Sequence, residues 1–123
     1  MLTIITNTIS FGGYNFKLKQ LYRQGKLPKD LVDIGGNKLT NKNLSGDHAI
    51  PRSKGGKNTD SNMMLATKQF NNMRGNRPLR EVVSMDNLIK WVNQYVNLEP
   101  IDGFDFQKYV KGILKIIGGN ENV

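Results

Sequence analysis

The sequence lacks cysteine altogether and holds one histidine, His48. The lack of cysteine excludes disulfides, cysteine-ligated zinc, iron–sulfur clusters and thiol nucleophiles. No apolar run approaches the roughly 18–20 residues of a membrane-spanning helix, and the N-terminus lacks the charged segment and long apolar stretch of a signal peptide. We therefore expect a cytoplasmic protein that has no membrane partner.

Positive charge is concentrated in the first two thirds of the chain, which has 123 residues and a net charge of +8. Residues 1–46 and residues 47–80 each hold seven Lys/Arg against two Asp/Glu, or +5, whereas residues 81–123 hold four against six, or −2. A basic region of this density is typical of proteins that bind nucleic acid or another polyanion. The length and the 37% hydrophobic content predict one domain with a modest core.

The first third of the chain predicts little regular structure. Residues 1–13 combine β-branched and aromatic positions, which predicts a strand or an extended arm. Residues 15–24 carry apolar side chains at helical spacing and precede Gly25, so they predict a helix. Residues 26–46 predict loops with one or two short strands and a turn at Gly35-Gly36-Asn37.

The last third predicts two amphipathic helices. Ser84 and Asp105 are suited to cap their N-termini, and Gly118 is suited to end the second helix. The apolar stripes comprise Leu88, Trp91, Val92, Tyr95 and Val96 in the first helix and Phe106, Tyr109, Val110, Ile113 and Ile117 in the second. Such stripes are typical of helices that pack on a core.

Residues whose side chains could take part in a reaction follow one another at defined spacings in the middle of the chain. The pattern consists of Asp47-His48, Pro51, Gly55-Gly56, Asn62, Asn71 and Arg74-Gly75. It resembles the HNH motif of the ββα-metal endonucleases, and the resemblance covers roughly residues 38–77. Any one Asn is a weak signal, but the joint match of residue types at these spacings is specific.

The resemblance implies an α+β fold built on a ββα-metal (HNH, His-Me finger) core. We expect an N-terminal helix before that core and two C-terminal helices packed behind it. We also expect a single domain over residues 1–123, with the motif core at 38–77 and helical support at 84–117.

The residue types suit phosphodiester hydrolysis without reference to the family. The reaction needs an activated water, and a neutral imidazole can polarise water near neutral pH. It also needs charge stabilisation, which a hard divalent cation held by carboxylate and amide oxygens can supply. Asp47 and His48 are neighbours on a predicted strand, so their side chains should point to opposite faces.

The resemblance assigns these residues their roles. It implies that His48 is the general base, that Asp47 is a metal ligand, and that Asn71 is the second ligand where many relatives carry His. It implies that Asn62 acts in catalysis by bracing the loop that orients the histidine. The neighbouring Asn72 stays open as an alternative ligand.

The sequence departs from the commonest family pattern in its supporting frame. Many relatives hold a structural zinc with two Cys-x-x-Cys pairs, and Thr67 and Phe70 stand where one pair would be. We therefore expect no structural zinc, and a hydrophobic frame in which Phe70, Met63 and Leu65 pack against the C-terminal helices. An Asp/Asn ligand set suits Mg²⁺ or Mn²⁺ better than zinc.

Basic side chains flank the motif and are predicted to bind phosphates. They are Arg52, Lys54, Lys57, Lys68, Arg74 and Arg77. We expect Arg74 to make the contact closest to the scissile group. Thr67 and Gly75 are suited to begin and end a short helix over residues 68–74.

Three functional hypotheses follow. The first is a metal-dependent HNH endonuclease that nicks or cuts DNA, expected to be double-stranded, as a monomer or a homodimer; RNA as substrate stays open. The second is a DNA-binding or regulatory module on a decayed HNH fold. The third is a partner-binding protein that uses the helices of Trp91 and Tyr109. The small size and the Asn/Lys-rich composition resemble phage-encoded HNH proteins, for which the host cytoplasm is the expected location.

Overall fold

The computed structural model describes residues 14–119, and the strand or arm predicted at 1–13 lies outside them. The described chain is α+β, with a two-stranded antiparallel sheet and several helices. The elements in chain order are α1 (Lys17–Arg23), β1 (Leu44–His48), β2 (Met63–Thr67), α2 (Lys68–Arg74), α3 (Leu79–Val82), α4 (Met85–Tyr95) and α5 (Phe106–Ile117). Short 3₁₀ turns cover Arg52–Lys54 and Asp60–Asn62.

The two strands pair in a register that sets the position of the motif. Leu44 is opposite Thr67, and His48 is opposite Met63. Every residue of β2 is buried, so this strand forms the inner part of the sheet. The loop of residues 49–62 joins the strands, and α2 follows β2 directly.

The predicted helix boundaries in the motif and in the last third are confirmed. Thr67, Ser84 and Asp105 each accept a hydrogen bond at their side chain from a backbone N–H three residues later, which satisfies an amide that the helix leaves unpaired. Gly75 ends α2 with a φ of 60°, a conformation that glycine adopts at little cost.

The N-terminal helix is shorter than predicted. It begins at Lys17 because Phe16, an extended residue with 1% exposure, is buried in the core instead of continuing the helix. The predicted turn at residues 35–37 is confirmed, and Val32 and Lys38 form a single bridge across it. The four-residue helix α3, which follows Pro78, was not predicted from the sequence.

The buried apolar residues form one contiguous cluster that joins the sheet to α1, α2, α4 and α5. Tyr109 on α5 donates its hydroxyl to the carbonyl of Met63 on β2 at 2.7 Å. Burial raises the pKa of Tyr109 well above its ordinary value, which keeps this donor protonated. In the part of the chain that the structure describes, no helix has the length and apolar content to cross a membrane.

Candidate nuclease site

The C-terminal end of β1 carries the two neighbouring motif residues, and their side chains bond to different elements. Asp47 is 4% exposed and bonds to Arg74 on α2. His48 is half-buried, and its Nε2 lies 2.6 Å from Oδ1 of Asn58 in the loop between the strands. This division is what the alternation of side chains along a strand predicts. Sequence reasoning missed Asn58, because no local pattern indicated that the loop folds back onto the histidine.

Arg74 lies in the interior, with 1% exposure. Its Nη1 lies 3.0 Å from Oδ2 of Asp47 and donates to the carbonyl of His48 at 2.7 Å. Nη2 donates to the carbonyl of Ala49 at 2.8 Å, and Nε donates to that of Arg77 at 2.8 Å. The guanidinium therefore fastens α2 to the end of β1.

The sequence predicts that Arg74 contacts the phosphate nearest the scissile bond, and its burial does not favour that contact. The guanidinium makes four hydrogen bonds in the interior, and it would have to give up some of them to reach a phosphate. The family spacing alone does not distinguish an exposed arginine from a buried one.

The ionisation of Asp47 reflects two opposing effects. Burial raises the pKa of the Asp47 carboxyl above its ordinary value, and the charge and hydrogen bond of Arg74 oppose that shift. Oδ1 of Asp47 has no side-chain donor among residues 14–119. One carboxylate oxygen is therefore held by arginine, and the other has no such partner.

Asn71 faces β1 from the second turn of α2. Its Nδ2 donates to Oγ of Ser45 and to the carbonyl of Gly46, each at 3.2 Å. Because Gly46 precedes Asp47, these bonds bring Asn71 to the strand segment that carries the carboxylate. No residue in the described range donates to Oδ1 of Asn71, so this oxygen is available to another ligand. Asn72 is exposed.

Asn62 braces the loop that follows β1. Its Oδ1 accepts from the amide of Ile50 at 2.8 Å, and its Nδ2 donates to the carbonyls of Ile50 at 3.1 Å and Lys57 at 3.0 Å. With 6% exposure, the amide is buried and all its bonds are to backbone groups. Since Ile50 and Lys57 lie on either side of the tip of the loop, the side chain fixes its shape.

The frame beneath the site depends on a buried carboxylate that the sequence analysis did not identify. Asp33 is fully buried, and its Oδ2 accepts from the amide of Thr67 at 2.9 Å and from the Thr67 hydroxyl at 2.7 Å. Its Oδ1 accepts from the amides of Gly35 and Asn37 and from the Asn37 side chain. Asp33 therefore joins the turn at residues 33–37 to the N-terminus of α2.

This arrangement adds a polar cluster to the hydrophobic frame that the sequence predicts. Phe70 is buried beside Gly35, so close that a Cβ on that glycine would lie 2.3 Å from the ring. The apolar part of the frame thus exists, with the Asp33–Thr67 cluster beside it. An Asp two residues before a Gly-Gly pair is a recognisable turn signal, but it gave no indication of a bond to Thr67.

Most of the predicted phosphate-binding residues are exposed. Arg52, Lys54 and Lys57 are in the loop that also carries Asn58, and Lys68 is the first residue of α2. Arg77 is exposed, although its guanidinium donates to the carbonyls of Arg74 and Met73. In the part of the chain that the structure describes, four cations without an ion-pair partner and one arginine bonded to backbone carbonyls therefore flank the site.

The oxygen donors at the site fit a hard divalent cation. Within residues 14–119, no group of three or more His, Cys, Asp or Glu side chains could hold a metal ion. The oxygens that could serve instead are Oδ1 of Asp47 and the amide oxygen of Asn71, and neither accepts from another side chain among residues 14–119. Carboxylate and amide oxygens supplemented by water are ligands that Mg²⁺ and Mn²⁺ accept.

Comparison with known proteins agrees with this geometry. Residues 35–77, about a third of the chain, match the family model described as HNH endonuclease. This range includes the turn next to Asp33, both strands and α2. No curated protein and no solved structure matches the chain. Over this segment the chain is similar to HNH endonucleases.

Proposed function

We propose that this protein is a divalent-metal-dependent endonuclease that hydrolyses phosphodiester bonds in DNA. The observation that carries the proposal is the half-buried His48, bonded to Asn58 beside the buried Asp47 within the family segment. The similarity of residues 35–77 to HNH endonucleases supports nuclease activity in general. The metal, the substrate and the residue roles below are part of the proposal.

His48 is proposed as the general base. Oδ1 of Asn58 can only accept a hydrogen bond, so Nε2 of His48 carries the ring proton and donates it across the 2.6 Å contact. Nδ1 then has a free lone pair and can take a proton from the attacking water. Asn62 acts through the loop and not on the water, because its amide bonds only to the backbone.

Asp47 and Asn71 are proposed to hold the metal through the two oxygens that lack side-chain donors. The divalent cation, Mg²⁺ or Mn²⁺, would supply electrostatic stabilisation of the charge that develops on the phosphate. Asp33 and Thr67 hold the N-terminus of α2, and Arg74 holds its C-terminal turn against β1. These bonds fix Asn71 relative to Asp47.

The exposed cations are proposed to bind the DNA backbone. Arg52, Lys54 and Lys57 share a loop with Asn58, so phosphates bound there would lie close to His48. Lys68 and Arg77 extend this surface along and beyond α2. We retain the proposal of one domain, with residues 84–117 supporting the motif core.

One observation favours a second function, that of a DNA-binding module without cleavage. The buried Arg74 already neutralises Asp47, the carboxylate proposed as metal ligand. If the ion pair keeps a cation from binding, the exposed lysines and arginines would still bind DNA. The two functions differ in whether any property depends on a divalent metal.

Cleavage of supercoiled plasmid in Mg²⁺, Mn²⁺ or EDTA tests the proposal. Wild type should relax or linearise the plasmid only with metal, and His48→Ala should be about 10²–10⁴-fold slower because the general base is lost. Asn97→Ala, an exposed substitution far along the chain from the motif, is the control and should cleave like wild type. Equal cleavage by His48→Ala would reject the role of His48. Salt-sensitive DNA binding without cleavage in any metal would favour the second function.

A further inference from the structure

A groove of about 530 Å³ lies between α5 and the 3₁₀ turn Asp60–Asn62. Its lining is mainly apolar and includes Phe104 and Tyr109. Its volume lies within the range of sites that enclose small-molecule-sized groups. The 3₁₀ turn begins two residues after Asn58, the hydrogen-bond partner of His48. The groove is therefore next to the loop of the proposed nuclease site.

Three exposed lysines, Lys108, Lys111 and Lys115, line the groove from α5. Their spacing places them on one face of the helix, and the first and last are about 10 Å apart along its axis. None of them forms an ion pair with any residue in the range 14–119. Three free ammonium groups therefore follow one edge of an apolar groove.

The acidic groups of the groove already have partners. Asp60 accepts the backbone amide of Lys17 at 2.9 Å, and Asp105 accepts that of Lys108 at 3.1 Å as the cap of α5. Their carboxylates offset part of the positive charge, but their contacts hold them to the backbone of α1 and α5. The three lysines outnumber the two carboxylates, which leaves the lining with a net charge of +1 (3 − 2).

Gly112 exposes the backbone of α5 to the groove. It lies inside α5, where glycine is unfavourable, between Lys111 and Lys115 on the same helix face. A Cβ at this position would meet no atom within 4 Å, so internal packing does not require glycine. What glycine does provide is closer access to the helix backbone from the groove.

We propose that this groove binds an unpaired stretch of nucleic acid, with phosphates on the three lysines and a base against Phe104 and the apolar floor. Sites for single strands combine a basic groove with aromatic surfaces on which bases stack, whereas a duplex keeps its base faces stacked internally. The inference rests on the proposed nuclease function and deepens it, because it assigns a single-stranded region next to the cleavage site. The enzyme would therefore prefer a frayed, gapped or single-stranded substrate to an intact duplex.

Fluorescence anisotropy with labelled DNA of about 12 nucleotides tests the inference, using the single strand and the matching duplex. The full chain carrying His48→Ala is used in EDTA, so that binding is measured without cleavage. The unmodified groove should bind the single strand more tightly than the duplex. Lys108→Gln/Lys111→Gln/Lys115→Gln should weaken single-strand binding roughly tenfold and reduce the salt slope by about 2, since each lost phosphate contact contributes about 0.7.

Two further variants distinguish binding in the groove from a general effect of the protein's positive charge. Lys29→Gln/Lys42→Gln/Lys90→Gln removes the same charge from exposed positions outside the groove and should change affinity less than the groove variant. Gly112→Leu leaves the charge unchanged but fills the groove, and it should also weaken single-strand binding. Circular dichroism verifies that each variant is folded.

The outcomes distinguish this inference from the proposed function. Equal losses in the two triple variants, or no preference for the single strand, would overturn the groove assignment even if the plasmid is cleaved. Unchanged DNA binding in both Gly112→Leu and the groove variant would overturn it too, and would favour an apolar partner. Groove-dependent single-strand binding by a protein that cleaves nothing would uphold the assignment and reject only the nuclease function.

Discussion

Arg74 and Asp47 form a buried ion pair, with Nη1 3.0 Å from Oδ2 and neither side chain more than 6% exposed. The same guanidinium donates to the carbonyls of His48 and Ala49. Arg74 therefore compensates the charge of Asp47, the proposed metal ligand, and holds the backbone carbonyl of His48, the proposed general base. Substitutions at this pair should change stability as well as activity.

Replacing Asp47 tests the structural part of this pair. Asp47→Ala should lower the free energy of unfolding by about 3–5 kcal/mol, because it leaves Arg74 buried without a counter-charge. Urea denaturation followed by circular dichroism measures the loss. Lys26→Ala breaks the exposed pair with Asp102 and should have a much smaller effect. If both variants lose a similar free energy of unfolding, the buried pair contributes no more to stability than the exposed pair does.

The choice between the two neighbouring asparagines is tested by metal binding. Asn71 faces β1, and its Oδ1 accepts from no residue in the range 14–119, whereas Asn72 is exposed. Asn71→Ala should therefore weaken Mn²⁺ binding by about tenfold or more, while Asn72→Ala should leave it unchanged. Isothermal titration calorimetry measures both affinities, with Asn72→Ala as the matched control. Weaker binding in Asn72→Ala alone would reverse the assignment.

The Asp33 cluster should be among the most sensitive points of the frame. Asp33→Ala removes the acceptor for the amide and hydroxyl of Thr67 and should lower the free energy of unfolding by about 3–5 kcal/mol. Asp33→Asn retains one acceptor oxygen and should cost less. Glu99→Gln, an exposed change, should stay within about 0.5 kcal/mol. If Asp33→Ala lowers the free energy of unfolding by less than about 1 kcal/mol, the apolar part of the frame is enough to stabilise the fold.

The sequence analysis was most accurate where structure depends on neighbours along the chain. The caps at Thr67, Ser84 and Asp105 follow from local hydrogen-bonding rules, and all three are confirmed. The contacts that the sequence did not predict join distant positions: Asp33 bonds to a residue 34 positions away, and Arg74 to one 27 positions away. Local sequence does not determine whether a charged side chain is buried, because its partner comes from another element.

The family pattern had the same limit. It identified Asn62 as the residue that braces the loop, and the structure supplies the contacts through which it can do so. Asn62 bonds to backbone groups of Ile50 and Lys57. The motif gave no means of separating the roles of Gly55 and Gly56, which depend on what surrounds each Cα.

The two glycines should therefore respond differently to substitution by alanine. Gly55 has a φ of 93° and open space around its Cα, so Gly55→Ala should cost about 1–2 kcal/mol of backbone strain and leave the loop in place. A Cβ on Gly56 would lie 1.7 Å from the carbonyl oxygen of Ile50 and 2.9 Å from Nδ2 of Asn62. Gly56→Ala must therefore displace the braced loop that carries Asn58, and a shift of about 1 Å at the proposed base should slow plasmid cleavage roughly 10²-fold. Initial cleavage rates at a temperature where both variants are folded measure the difference, and equal rates would show that the shape of the loop does not control His48.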